Sequence, residues 1–191
     1  MTARMGTETS SSRVPYFLRT ARLGFRCWSR EDLPNAWALW GDPRVTRLIG
    51  GPFSREAVSD RLDREIATER ARGIQYWPTF LLRSDEFVGA VGLRPYPADR
   101  RALEIGVHLR PEFWRQGLAE EAARATIQYG FHQTDAEFLV AGHHPENGSS
   151  RRLLCKLGFV QTGSELYPPT GLVHPIYRLD RSTASIHSDS T

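Results

Sequence analysis

Apolar positions along the chain follow two spacings, one strand-like and one helix-like, with turn residues between them. Residues 22–28 read as a first strand. Ser29 then suits an N-cap, with Asp32 three residues on as a capping box and Pro34 in the first turn. Leu33, Ala36, Trp37 and Trp40 form that helix's apolar face. Ser54 caps a second, highly charged helix reaching Arg72, in which Val58, Leu62 and Ile66 form a stripe at four-residue spacing. Strands at 75–82 and 86–96 follow, joined by Arg83, Ser84 and Asp85. Next come a strand at 102–109, a helix at 119–133 and a short strand at 137–141. A helix capped by Asn147 runs to Leu157 and stops at Gly158. A hairpin closes the chain, with strands at 159–167 and 172–179 joined through Pro168, Pro169, Thr170 and Gly171. The order β-α-α-β-β-β-α-β-α-β-β predicts a mixed α/β fold with no internal repeat.

Composition narrows the class. A length of 191 residues suits one domain with a substantial core. Residues 1–14 and 181–191 are rich in Ser and Thr and are expected to be disordered tails around a single domain at 15–180. No apolar run approaches the ~20 residues that cross a bilayer, so no membrane association is expected. The N-terminus has no apolar h-region, which makes the cytoplasm the default location. The net charge is +3, and the arginines are scattered among Asp and Glu, which argues against a nucleic-acid partner. The two cysteines, Cys27 and Cys155, form neither a disulfide framework nor a metal motif and are expected to be buried apolar residues.

Two segments carry the chemistry. Trp114-Arg115-Gln116-Gly117-Leu118-Ala119 lies between the 102–109 strand and the 119–133 helix. A glycine there lets a ligand approach the backbone, and the first helical turn offers free N–H groups and the positive end of a dipole. That arrangement binds phosphate. The second segment, residues 141–159, reads A-G-H-H-P-E-N-G-S-S-R-R-L-L-C-K-L-G-F. Together they resemble the GNAT superfamily of N-acetyltransferases. Gly117 and Ala119 match the Gln/Arg-x-x-Gly-x-Gly/Ala pattern, while Trp114 departs from its first position. A tryptophan there, with Asn147, Ser150, Lys156, Gly158 and Phe159 downstream, is similar to the branch that acetylates ribosomal-protein N-termini. Residues 23–28, the Asp42-Pro43 step and residues 87–93 also match, so the resemblance covers roughly residues 18–179.

The resemblance implies a mostly antiparallel sheet with splayed central strands, flanked by helices. It implies acetyl-CoA as co-substrate and no metal. Gln116, Gly117, Leu118 and Ala119 would meet the pyrophosphate, with Arg115 adding charge. The strand residues Val107, His108 and Leu109 would line the cofactor, and the N–H groups of Val107 and His108 would be oxyanion donors. Asn147 would hydrogen-bond the pantetheine or the acceptor. Ser150 would protonate the leaving thiolate.

Acyl transfer to an amine requires the neutral amine. A lysine-like amine of pKa ~10.4 is almost wholly charged at pH 7, whereas an α-amine at ~7.7–8.0 is already partly neutral. One carboxylate acting through water would then suffice. Glu104 is the candidate base, since alternation places it on one face with Gly106 and His108. His108 is the competing base, or else a wall of the acyl pocket. His143, His144 and His174 are expected to line the acceptor site. Adjacent His143 and His144 cannot face one way, which argues against a metal site. Trp37, Trp40, Phe53, Trp77 and Tyr96 either shape the acceptor pocket or fill the core. No cysteine sits at a motif position, so direct attack in a ternary complex is expected. The partner is a small-molecule or peptide amine. A protein N-terminus, an aminoglycoside, a polyamine, an amino acid, and a non-catalytic acyl-CoA-binding role all remain open, as does a monomer or a homodimer. The loops at 49–54 and 166–174 would set the acceptor.

Overall fold

The computed structural model describes residues 15–186. Strands β1 (Leu18–Arg19) and β2 (Leu23–Phe25) come first, followed by α1 (Leu33–Trp40), α2 (Pro43–Thr46) and α3 (Arg55–Arg72). Then come β3 (Tyr76–Leu81), β4 (Phe87–Pro95), β5 (Ala102–Leu109), α4 (Leu118–Gln133), β6 (Phe138–Gly142) and α5 (Gly148–Lys156). The chain closes with β7 (Val160–Tyr167), β8 (Leu172–Asp180) and α6 (Arg181–Ile186). The eight strands form one sheet in the order β1-β2-β3-β4-β5-β6-β8-β7. Among the described residues only β5 and β6 pair in parallel; every other pair is antiparallel.

Alternation along the strands loads both faces of the sheet. On one face Val91, Leu93, Ile105 and Leu109 pack against Leu118, Ala122, Ala123 and Ile127 of α4 and Leu154 of α5. On the other, Tyr76, Phe80 and Ala90 pack against Trp40 of α1 and Val58 and Leu62 of α3. Local signals set several boundaries as expected. The Ser29–Asp32 capping box opens a 3-10 turn that leads into α1. The Ser54 hydroxyl accepts from the Ala57 N–H at 3.1 Å, and Gly73 ends α3 with a left-handed φ of 69°.

Other boundaries differ. The first strand is shorter than 22–28. Its register brings Arg26 opposite Pro78, and proline has no N–H to return, so the ladder stops there with a single bond, Arg26 N–H to Pro78 C=O at 3.3 Å. The short helix α2 was not expected, although Asp42 and Pro43 supply its cap and first residue. Cys27 and Cys155 are both exposed, not buried: Cys27 follows the point where the β2 ladder ends, and Cys155 lies on the outer side of α5.

The expected C-terminal tail begins with ordered structure. The Arg181 N–H donates to Glu137 C=O at 3.0 Å. Its guanidinium donates to the carbonyls of Phe131, Thr134 and Ala136, and Ala184 packs on the core. Those carbonyls end α4 and follow it, where a cation meets the negative end of the helix dipole. The tails at 1–14 and 187–191 lie outside the described residues.

Candidate active site

Strands β5 and β6 pair only through Ala102–Phe138, Leu103–Leu139 and Glu104–Val140. Beyond Glu104 the two strands run on without pairing, which opens a cleft in the middle of the sheet. The antiparallel register between β4 and β5 is unbroken from Gly89–Leu109 to Pro95–Leu103. Bonds at its two ends, Arg110 N–H to Val88 C=O and Tyr96 N–H to Ala102 C=O, fix the phase of the ladder. The peptide groups of Glu104, Gly106 and His108 therefore face β4, and those of Ile105, Val107 and Leu109 face the cleft. Val107 thus has its N–H directed into the opening. The His108 N–H does not: it is committed to β4, which corrects the expectation that both amides serve as oxyanion donors. The Leu109 C=O accepts from Trp114 Nε1 at 2.8 Å.

The same alternation puts Glu104, Gly106 and His108 on one face, as expected, and that face is the α1/α3 side. Gly106 is required there, because a Cβ would lie 2.2 Å from Cζ of Tyr76. The Tyr76 ring thus packs against β5 at Gly106, and its hydroxyl is among the groups that act on Glu104. Burial raises the Glu104 carboxyl above its ordinary value, against the lowering effects of Arg94, that hydroxyl and Arg61. Arg94 sits opposite Glu104 in register, lies 4.0 Å over the Tyr76 ring and pairs with Glu65.

His108 is settled by its neighbour. Trp40 Nε1 donates to His108 Nδ1 at 3.1 Å. Indole N–H only donates, so Nδ1 must be an acceptor and the ring is the neutral Nε2–H tautomer. Burial, with Arg61 and Arg94 nearby, holds its pKa well below the usual range. The ring stands edge-on to Tyr76 and Trp40, at 5.7 and 6.5 Å between centroids. It is a wall with its lone pair already used.

The glycine turn follows a 3-10 turn at Pro111–Phe113. Arg115 and Gly117 both have positive φ, 60° and 76°. Gly117 is the N-cap of α4 with no side-chain cap, and the first helical bond is Glu121 N–H to Gly117 C=O. The N–H groups of Leu118, Ala119 and Glu120 are left without helical partners. The Gln116 amide turns away, donating to Glu112 C=O at 2.8 Å. Arg22 braces the turn: it donates to Gln116 C=O at 3.0 Å and pairs with Glu121 at 2.6 Å. Lys156 reaches the same helix start, 2.6 Å from Glu120. At the start of α5 the Asn147 side chain accepts from the Ser150 N–H at 3.1 Å, and both residues are partly exposed.

The histidines divide between the faces. His144 stands edge-on to His174, which stacks on Tyr167 at 4.7 Å. His143 instead packs at a tilt against Tyr177, 5.4 Å between centroids, on the α4/α5 side, so it does not line the same face as His144 and His174. No group of three metal-ligating side chains is present among the described residues. Of the aromatics, Trp40 touches the site and Tyr96 donates to Glu165, whereas Trp77 is fully buried core. The sequence reading missed Arg61, Glu65, Tyr76 and Arg94. A pair of arginines on a charged helix and a strand reads as solvated surface, and a tyrosine in an apolar strand reads as core.

Comparison with known proteins agrees with this geometry. The profile of the acetyltransferase (GNAT) domain family matches residues 22–160. YoaA of Bacillus subtilis (strain 168), an uncharacterized N-acetyltransferase, is 30% identical over 149 residues, covering 76% of this chain and 84% of its own. An acetyltransferase structure from Agrobacterium tumefaciens str. C58 superposes with a TM-score of 0.76 at 23% identity, covering 94% of this chain and all of that one. RimL, a ribosomal L7/L12 α-N-protein acetyltransferase solved with coenzyme A, superposes with a TM-score of 0.72 at 17% identity, over 89% of this chain and 98% of that one.

Proposed function

The chain belongs to the GNAT acetyltransferase family, and from that premise we propose that it transfers the acetyl group of acetyl-CoA to a primary amine with Glu104 as general base. The family implies acetyl-CoA, and the residues present fit it. The uncapped start of α4 leaves amides for a pyrophosphate, and among the described residues only Arg22, 3.5 Å from where a Gly117 Cβ would lie, borders that glycine from outside the turn. Bound there, acetyl-CoA supplies an activated thioester. Gln116, Gly117, Leu118 and Ala119 bind through their backbone, with Arg115 and Lys156 adding charge. Val107 N–H is directed into the cleft, where it can donate to a carbonyl oxygen. The Ser150 hydroxyl serves as proton donor to the departing thiolate, and Asn147 holds its N–H.

Glu104 takes the amine proton. Its raised pKa brings it closer to the amine it must deprotonate, whereas His108, with its Nδ1 lone pair taken by Trp40 and its pKa lowered by burial, is a poor base. No cysteine lies in the cleft-forming segments, so the amine attacks directly. The single observation that carries this reading is a half-buried carboxylate opposite Arg94, on the last paired residue before the cleft opens. Thiol release from acetyl-CoA with a panel of peptides, polyamines, aminoglycosides and amino acids tests it. Glu104→Gln is expected to cut kcat/KM by about 10²–10⁴ while coenzyme A binding persists. Full activity in that variant would remove Glu104 from the role, and no release with any amine would leave a binding module.

A further inference from the structure

Two guanidinium groups share one carboxylate behind the acceptor face. Glu65 is 1% exposed. One of its oxygens accepts the Tyr76 N–H at 2.9 Å, and the other takes Arg94. Arg61, one helical turn before Glu65, comes no closer than 3.9 Å to it. That distance is outside hydrogen-bond range. Arg61 Nε is buried with no hydrogen-bond partner, while the guanidinium lies 4.2 Å over the Trp40 ring, which fixes its position. Its side chain keeps 13% of its surface accessible. Its charge bears on Glu104, His108 and Tyr167, the residues of the acceptor face. A buried cation left without a full partner is costly, and a guanidinium fork is shaped for a carboxylate. The balance tips further during turnover. Once Glu104 holds the amine's proton, Glu65 is the carboxylate left against Arg61 and Arg94, while Glu165 takes the Tyr96 hydroxyl.

We propose that Arg61 binds a carboxylate on the acceptor, so that the substrate is a small amino acid whose amine meets Glu104 and whose acid group meets Arg61. This rests on the acetyltransferase reading above. The same carboxylate chemistry can also come from an acidic side chain near a peptide N-terminus, and the experiment separates the two sources.

Thiol release would be measured with amino acids against their C-terminal amides, and with peptides bearing acidic or neutral leading residues. Unfolding temperature would be followed in parallel with N-acetyl amino acids and N-acetyl amino acid amides, which reads binding without turnover. The wild type should prefer free acids over amides by about tenfold to a hundredfold in kcat/KM, the range of one charge-assisted hydrogen-bonded contact. N-acetyl amino acids should raise its unfolding temperature more than their amides do. Arg61→Met should erase both differences, and Arg61→Lys should retain part of each. Greater activity on acidic peptides than on free amino acids would support the Arg61 contact and assign its carboxylate to a peptide side chain. Equal rates for acids and amides in the wild type would overturn the proposal, with no variant needed. If no amine releases thiol, the transferase reading fails, and the thermal shifts alone decide whether Arg61 binds carboxylate.

Discussion

At the scale of residues, Glu104 shows how function and stability pull apart. Its carboxyl is raised in the folded state by burial, with Arg94, the Tyr76 hydroxyl and Arg61 opposing. Folding thus favours the protonated form more than the unfolded chain does. Ionisation costs stability once the pH passes the unfolded value of about 4.3, and the cost is complete above the folded value. Glu104→Gln cannot ionise, so its unfolding temperature should exceed that of wild type at pH 7. The gap should shrink to nothing as the pH falls below about 4. Calorimetry at the two pH values checks this. A wild type more stable than the variant at pH 7 would mean that Arg94 and Tyr76 outweigh burial. His108 was legible in sequence as a base or as a wall of the acyl pocket, with nothing to decide between them. Its tautomer depends on Trp40, 68 positions away, and no pattern within β5 reports that contact.

Among the elements, the cleft between β5 and β6 is where local pattern and tertiary pairing diverge. The 102–109 strand was read with the bounds the structure shows, and the alternation of Glu104, Gly106 and His108 holds because the β4 register has no bulge along it. The direction of the peptide groups was not legible. It depends on which residues of β4 meet β5 in hydrogen-bonded pairs, and that phase is invisible in either strand alone. Hydrogen exchange can read it. The Val107 amide should exchange much faster than those of Gly106 and His108, and coenzyme A should slow Val107 most. Equal protection of all three in the free protein would mean the cleft is closed in solution.

Across the whole molecule, the domain closes on itself through Arg181. Its guanidinium donates to carbonyls at and beyond the end of α4, so α6 ties the last strand to the helix that begins at the glycine turn. Arg181→Ala would leave partly buried carbonyls short of donors. It should destabilise the protein by about 1–3 kcal/mol in denaturant titration, with little change in KM for acetyl-CoA, because the far end of α4 is the one affected. A change below about 0.5 kcal/mol would show that water replaces the guanidinium. Among the described residues no helix is long and apolar enough to cross a membrane.

The sequence by itself determined the elements with strong local signals. Caps at Ser29, Ser54 and Asn147, the glycines at 117 and 158 and the strand alternation act within a few residues, and the structure keeps each of them. The two motifs likewise placed the glycine turn and the Asn147 helix start. Only the tertiary structure decided what faces what. It set the length of β2 by bringing Arg26 opposite Pro78, committed the His108 N–H to β4, and sent His143 and His144 to opposite faces. It also gathered Arg61, Glu65, Tyr76 and Arg94 around Glu104 from three separate elements. The reason is physical. Caps and periodicity are local energies written in neighbouring residues, whereas charge pairing, tautomers and burial depend on distances that exist only after distant segments have packed.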